Sequence, residues 1–327
     1  MKALVFDRIG SPLEVLELRD VPRPTPRPGE ALVRMVSSSI NPGDFLFVEN
    51  LYPEPKKPAL PGQIAGGHGA GIVEAAGPGV SLVEPGTLVA FSYRDAWAEY
   101  AAVPQEWLIP LPAGFDPDTA GQIVNLVTAW DLLDQSGVAS GGWLAVTAGS
   151  STVSTLVLQY AKACGVNVIS IVRRSQAGPD LKALGAAEVI DLSVPGPGVA
   201  ERVRDITGGI GLHGVVDNVG GPLLGDLVRS TALGARVIIN GGMSAERFQL
   251  HNFDVLMNLV EIRPHVYRFF FDPPGTEHRP FLDRLVATSQ SIGIQAPVAG
   301  RFPLEDFRTA LELSVARPGE GKRLFRM

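Results

Sequence analysis

The sequence predicts an α/β fold in which a doubly wound parallel sheet is joined to a barrel-like antiparallel unit. Three observations lead there. Strand-like and helix-like segments alternate from about residue 116 to residue 262. The residues before them are short apolar runs broken by Gly and Pro. The tail after them reads as strand, helix, strand, as expected of a chain that returns to its first unit. The length of 327 residues suits two domains.

Lys2 to Phe6 reads as a short strand. VPRPTPRPGE (21–30) follows, with Pro22, Pro24, Pro26 and Pro28. Prolines at that density exclude helix and impose an extended surface connector. EALVRMVSSSI (30–40), GAGIVEAAG (69–77), TLVAFS (87–92) and YAAVP (100–104) read as strands. Gly77, Pro78 and Gly79 mark one turn, Pro85 and Gly86 another, and the antiparallel unit runs to about Gly114. DPDTAGQIVNLVTAWDLLDQSG (116–137) predicts one helix, with Pro117 and Asp118 near its start and Gly137 at its end. WLAVTA (143–148) is a buried strand. In TVSTLVLQYAKACG (152–165), Val153, Leu156, Val157, Tyr160, Ala161 and Cys164 recur at helical spacing, and Gly165 stands where a C-cap belongs. NVISIVRR, PDLKALGA and AEVIDL predict strand, helix and strand. ERVRDITGG with GVVDNVGG, and PLLGDLVRSTALG with ARVIINGG, predict two further helix–strand pairs.

Composition excludes several classes. The 37 glycines and 27 prolines make the chain turn-rich, yet below the ~25–30% of low-complexity sequence. With 45% hydrophobic and 19% charged residues, intrinsic disorder is excluded. A net charge of -6 with scattered basic residues disfavours nucleic acid as a partner. The single cysteine, Cys164, allows no internal disulfide and no cysteine-rich zinc site. Asp7 and Arg8 interrupt the first apolar residues too early for a signal-peptide core, and no run approaches the ~18 residues of a membrane span. A cytoplasmic protein acting on a small molecule is the expectation.

The first strand of the alternating region ends in TAGSSTVST and feeds a helix. A helix N-terminus presents free N–H groups and a positive dipole end, which suit a pyrophosphate. The usual pattern is Gly-x-Gly-x-x-Gly, and here those places hold Gly149, Ser151 and Ser154. Ser150, Ser151 and Thr152 would add hydroxyl donors, and Val153 lies in the same first turn. An ordinary capped turn is the alternative. At the end of the second strand, where an acidic residue would bind the ribose 2′-hydroxyl of NAD, the chain has Arg173 and Arg174. Two guanidiniums suit a 2′-phosphate, so NADP is the expected cofactor; a solvated arginine pair is the bland alternative.

INPGD (40–44), NLYPEP (50–55), GGHGAGIVEAAGPGV (66–80), VNLVTAW (124–130), LGAAEVID (184–191), VVDNVGG (215–221) and EGKRLF (320–325) occur in this order. In that series the chain resembles the medium-chain dehydrogenase/reductase superfamily, and most of all its zinc-free branch of NADPH quinone oxidoreductases and 2-enoyl thioester reductases. The resemblance implies a Rossmann domain at 122–265 and a GroES-like β-barrel catalytic domain from 1–121 and 266–327. It also implies a homodimer. The zinc-dependent branch needs a cysteine and a histidine where this chain has Asn41 and Gly67, so no metal is expected.

The resemblance further implies site residues. Tyr52 stands where enoyl reductases carry a proposed catalytic tyrosine, able to donate to an enolate or protonate a carbon. A packed loop aromatic is the alternative. Asn41 and Asp44 match an Asn-Pro-x-Asp segment of the catalytic cleft, and Thr128 a residue near the nicotinamide carboxamide. Asn218, Gly241 and Lys322 fall in segments that meet the cofactor. His68, where the family usually has Glu, is an active-site wall residue or proton relay, or a structural histidine at a turn. Tyr52 and Lys56 also spell Tyr-x-x-x-Lys, the short-chain dehydrogenase string, but Pro53 and Pro55 forbid the helix it requires. Arg263 to Arg268 depart from the family; there Tyr267 or Arg268 meets a substrate carboxylate or thioester, or the strand forms a subunit interface. The expected function is a zinc-independent NADPH-dependent reductase of an α,β-unsaturated carbonyl, enoyl thioester or quinone. The alternatives are a non-catalytic or regulatory nucleotide-binding protein on the same fold, or a specialised biosynthetic reductase.

Overall fold

Runs of Val, Ile, Leu and Phe build two large sheets, one in each of two units. The computed structural model describes residues 1–53, 56–174 and 179–327. Unit one comprises Met1–Val124, Phe269–Gln290 and Gln295–Met327, and unit two comprises Asn125–Arg268 and Ser291–Ile294. The strands of the first part of the chain are β1 (Lys2–Phe6), β2 (Glu17–Asp20), β3 (Glu30–Ser39), β4 (Gln63–Ile64), β5 (Gly69–Ala76), β6 (Leu88–Phe91), β7 (Tyr100–Pro104) and β8 (Leu108–Pro110). Then come β9 (Trp143–Val146), β10 (Asn167–Val172), β11 (Ala186–Asp191), β12 (Leu212–Asp217), β13 (Thr231–Ile239) and β14 (Glu261–Pro264). The tail adds β15 (Val298–Phe302) and β16 (Lys322–Arg326). The fold is α/β, as the alternation predicts.

In unit one, β2-β1-β4 form a small sheet, and a seven-stranded sheet runs β15-β16-β3-β5-β6-β8 with β7 also on β3. β7 and β16 share one edge of β3 end to end, at Glu30–Arg34 and Ser37–Ser39, while β5 takes the other. Two register shifts in the β3–β5 pair bend the sheet. Its core gathers Leu4, Phe6, Leu16, Trp97 and Phe325, with Trp97 meeting Phe325 edge to face at 5.1 Å. The Pro-rich stretch between β2 and β3 is neither helix nor strand.

The single helix predicted over 116–137 is instead two, Pro117–Ala120 and Ile123–Ser136. Gly121 causes the break. Its carbonyl accepts from Ser39 N at 3.1 Å and Ser39 Oγ at 3.0 Å, so β3 uses the group a helix would need. Any Cβ there would also collide with Ser37. Asp118, in the first of the two helices, is buried and takes Arg301 Nε of β15 at 2.6 Å and Arg326 Nε of β16 at 2.7 Å.

In unit two all six strands are parallel, in the order β11-β10-β9-β12-β13-β14. The chain winds outward from β9 through β10 and β11, then returns to lay β12 on the other side of β9. That reversal makes the C-terminal ends of β9 and β12 the switch point, where such sheets bind ligands. The strands are near-continuous apolar runs because helices cover both faces; Ile169, Ile171, Val215 and Val237 are buried in one core with Leu224 and Leu227. The predicted helix at 179–186 is only a set of turns at 181–185. Between Asp180 and Gly185, at φ 120°, too few residues remain to repay helix nucleation. Cys164 extends the apolar spacing of the helix Thr152–Ala163, yet it serves as the C-cap and is exposed, because Gly165 at φ 71° turns the chain away.

Removing the Asp118 carboxylate leaves two half-exposed arginines without their acceptor. Asp118→Ala should lower the unfolding free energy by about 2 kcal/mol, measured by urea titration. A loss too small to resolve would show that the clamp contributes nothing.

Candidate functional site

In unit one a polar cluster forms where β3 ends. Three serines, Ser37, Ser38 and Ser39, are fully buried there. Ser38 Oγ donates to the His68 carbonyl at 2.7 Å, which fixes the backbone of the histidine. Asn41 Nδ2 donates to His68 Nε2 at 2.8 Å, and Ser39 Oγ lies 2.9 Å from the same nitrogen. Nε2 is therefore an acceptor, and the ring proton sits on Nδ1, 3.9 Å from Asp44 Oδ1. Burial pushes His68 down, with help from the Lys322 charge and against the pull of Asp44, so the ring is neutral near pH 7.

Asn41 opens the helix Pro42–Val48, a start the sequence marks with Pro42 in the first turn. Asp44 Oδ2 accepts from Asn41 N at 2.8 Å and its Oδ1 from Gly67 N at 3.0 Å. Among the described residues the buried Asn41 Oδ1 atom has no hydrogen-bond partner. Burial brings the Lys322 ammonium down to about 8, although Asp44 opposes the shift. The Tyr52 hydroxyl rests against Gly43, at a place any Cβ would occupy, and the Tyr52 ring meets Phe270 edge to face at 4.9 Å. Burial, then Asp44, raises the phenol to about 12, so it keeps its proton at working pH. Glu54 and Pro55 of the NLYPEP segment lie outside the described residues.

In unit two the loop after β9 sits at the switch point. Ala148 takes a left-handed conformation at φ 49°, and Ser151 caps the helix Thr152–Ala163 by accepting from Ser154 N at 3.3 Å. Gly149 cannot be replaced cheaply, since a Cβ would strike Ser170 on β10. The two serines that stand for glycines bond each other, Oγ to Oγ, at 2.9 Å. Ser154 is fully buried, with its Oγ 3.2 Å from the Thr147 carbonyl. Their hydroxyls are thus engaged within the protein, leaving the first-turn N–H groups of Thr152 and Val153, and the Ser150 side chain, at the loop. Arg173 and Arg174 are exposed directly after β10; Ser175 to Gly178 beyond them lie outside the described residues.

A directional chain of amides crosses the ends of the strands. Asn218 Nδ2 donates to the Thr147 carbonyl at 2.9 Å, and Asn240 Nδ2 to Asn218 Oδ1 at 2.6 Å. That turns Asn240 Oδ1 toward His265 Nδ1 at 2.8 Å, while His265 Nε2 meets Asp131 Oδ2 at 3.1 Å. The His265 ring thus bridges the amide chain and Asp131, with one ring nitrogen on each. Burial would raise Asp131, but hydrogen bonds from His265, Arg268 and Gln135 hold it below the usual carboxylate range. Arg268 thus has its Nε on Asp131 at 2.9 Å, and Tyr267 beside it is half-buried. Gly241 donates to the Asp217 carbonyl at 3.2 Å, and Thr128 is buried on the helix Ile123–Ser136.

The expected residues thus fall into two groups. Asn41, Asp44, Tyr52, His68 and Lys322 come together in unit one. Gly149 to Val153, Asn218 and Gly241 gather at the switch point of unit two, with the arginine pair at the neighbouring strand end. Ser39, Asp131, Asn240 and His265 were not singled out by the sequence; only the run of three polar serines inside an otherwise apolar strand signalled anything. Among the described residues no group of three or more His, Cys, Asp or Glu side chains is placed to hold a metal ion.

The family model for the alcohol dehydrogenase GroES-like domain matches residues 27–113, and that for zinc-binding dehydrogenases matches residues 152–275. The chain is 27% identical to the mitochondrial enoyl-[acyl-carrier-protein] reductase of Homo sapiens, over 96% of this chain and 86% of that protein. It is 33% identical to a quinone oxidoreductase of Pseudomonas aeruginosa, over 67% of this chain and 66% of that protein. A mycobacterial protein solved in complex with NADPH superposes with a TM-score of 0.83 at 26% identity, covering 100% of both chains.

Lys322 carries a pH prediction. Its folded value, about 8, lies below that of an unfolded lysine, so between these limits the unfolded chain binds more protons. Stability therefore rises with pH from about 8 toward 10.5, by roughly 3 kcal/mol. Lys322→Met should remove that rise from the pH dependence of urea midpoints; an unchanged profile would refute it.

Proposed function

The chain belongs to the medium-chain dehydrogenase/reductase superfamily, on its branch of quinone and enoyl reductases, and we propose that it is a zinc-independent reductase using NADPH on an α,β-unsaturated carbonyl, enoyl thioester or quinone. The observation that carries this is the pairing of a helix-capped loop at the switch point with two exposed arginines at the end of the next strand. The residues fit the nucleotide: Gly149 lets the loop approach β10, the helix Thr152–Ala163 offers its N-terminal N–H groups to a pyrophosphate, and Arg173 and Arg174 suit a 2′-phosphate. Thr128, Asn218 and Gly241 are assigned to the nicotinamide end. The two serines in place of glycines, whose added Cβ atoms favour the non-catalytic alternative, turn their hydroxyls to each other and to the Thr147 carbonyl.

NADPH supplies a hydride when bound. The chain's own part is to hold the substrate oxygen and move a proton. Tyr52 stays protonated beside Asp44 and is assigned as the donor to the developing enolate. Neutral His68, held by Asn41 and Ser39, keeps its Nδ1 proton toward Asp44, an arrangement suited to replenishing protons. Asn41 Oδ1 is left to accept from a bound group. Arg268 is committed to Asp131 and is assigned a positioning role rather than a substrate contact.

We assign the protein to the cytoplasm, where a single exposed cysteine is kept reduced. Among the described residues no helix is long and apolar enough to cross a membrane. A homodimer is supported by the free edge of β14 and by Leu233, Leu256, Met257 and Leu259, all exposed in the same unit.

Fluorescence titration should show NADPH binding more tightly than NADH. Arg173→Ala with Arg174→Ala should weaken NADPH by at least about tenfold and NADH far less; equal binding of the two nucleotides would refute the cofactor assignment. With chelator-treated enzyme, Tyr52→Phe should lower kcat about a hundredfold at similar KM. Full kcat in the variant would remove the donor role, and loss of wild-type activity on chelation would remove zinc independence.

A further inference from the structure

An aromatic wall extends outward from Tyr52 in unit one and holds a cation that the reaction above does not use. Lys56 Nζ stands 5.3 Å from the Trp107 ring centroid and 5.5 Å from that of Phe270. Phe270 is the ring that meets Tyr52. Trp107 in turn meets Tyr93 at 5.4 Å, and Arg94 lies over Tyr93 at 4.8 Å. The wall is thus continuous, from the Tyr52 hydroxyl against Gly43, through Phe270 and Lys56, to Trp107 and Tyr93. Two aromatic contacts place the ammonium within roughly 10 Å of the Tyr52 ring.

Among the described residues Lys56 forms no ion pair; Glu54 lies outside them. Burial lowers its affinity for a proton. A lysine that only packs its stem sends its head into water or to an acid. This one keeps its head between two ring faces, which attract a cation yet leave it free to meet an anion.

We propose that Lys56 contacts a negative group on the substrate, so that the site takes anionic substrates: enones or enoyl chains bearing a carboxylate or a phosphate. The apolar part of such a substrate lies along Phe270 and Trp107, with its reacting end toward Tyr52. This inference rests on the reductase reading and adds the substrate class to it.

The test compares three substrates with NADPH: a 2-enoyl-CoA, the neutral N-acetylcysteamine thioester of the same acyl chain, and a 4-oxo-2-enoic acid. The wild type should prefer one or both anions by KM. Lys56→Gln should lower kcat/KM for the preferred anion at least about tenfold more than for the neutral thioester, and Lys56→Arg should keep most of the preference. Preference for the CoA thioester identifies a phosphate, and for the oxo acid a carboxylate; either supports the proposal. Equal losses on charged and neutral substrates, or no preference in the wild type, would overturn it. If no substrate is reduced, the reductase reading fails, and quenching of tryptophan fluorescence by the 2-enoyl-CoA still decides about Lys56: binding that Lys56→Gln weakens supports the contact, and indifference to the substitution refutes it.

Discussion

Unit one depends on the pairing of the last strand with the end of β3. Leu324, Phe325 and Arg326 lie opposite Ser39, Ser38 and Ser37, and Ile40 N donates to the Arg323 carbonyl at 3.0 Å. This register sets Phe325 on Trp97 in the core, Arg326 on buried Asp118, and Lys322 within electrostatic reach of Asp44 and His68. A slip of one residue would turn each of these side chains to the other face of the sheet. Two of the three serines here are satisfied: Ser38 and Ser39 bond the backbone and ring of His68 and the carbonyl of Gly121.

The two buried histidines are held in different ways by their neighbours. His68 receives a donor from Asn41, and burial keeps it neutral. His265 faces two acceptors, and the amide chain from the Thr147 carbonyl leaves Asn240 no freedom to flip. The second ring ties the strand ends to Asp131.

Some of the site was legible in the chain. The motif order assembled Asn41, Asp44, Tyr52, His68 and Lys322, and the strand–loop–helix pattern located Gly149. What the sequence does not show at this loop is that the Ser154 hydroxyl turns inward to the Thr147 carbonyl. The helix at 116–137 was merged across Gly121 because the claim of Ser39 on that carbonyl is a contact across more than eighty residues. In the sequence Lys56 stands out only through the Tyr-x-x-x-Lys string; its contacts with Trp107 and Phe270 come from residues remote in sequence.

By itself the sequence determined what periodicity, turn chemistry and local capping determine: the alternation of strands and helices, the parallel sheet, and the strand–loop–helix junction at Gly149. These are short-range or pattern properties, fixed by backbone dihedrals and by the face each residue must bury. Tertiary structure alone decided which polar groups meet. The direction of a serine hydroxyl, the partners of a histidine ring and the place of a lysine between two aromatic rings depend on groups brought from distant segments. Their energies are set by burial and hydrogen-bond accounting, which no local stretch of sequence contains.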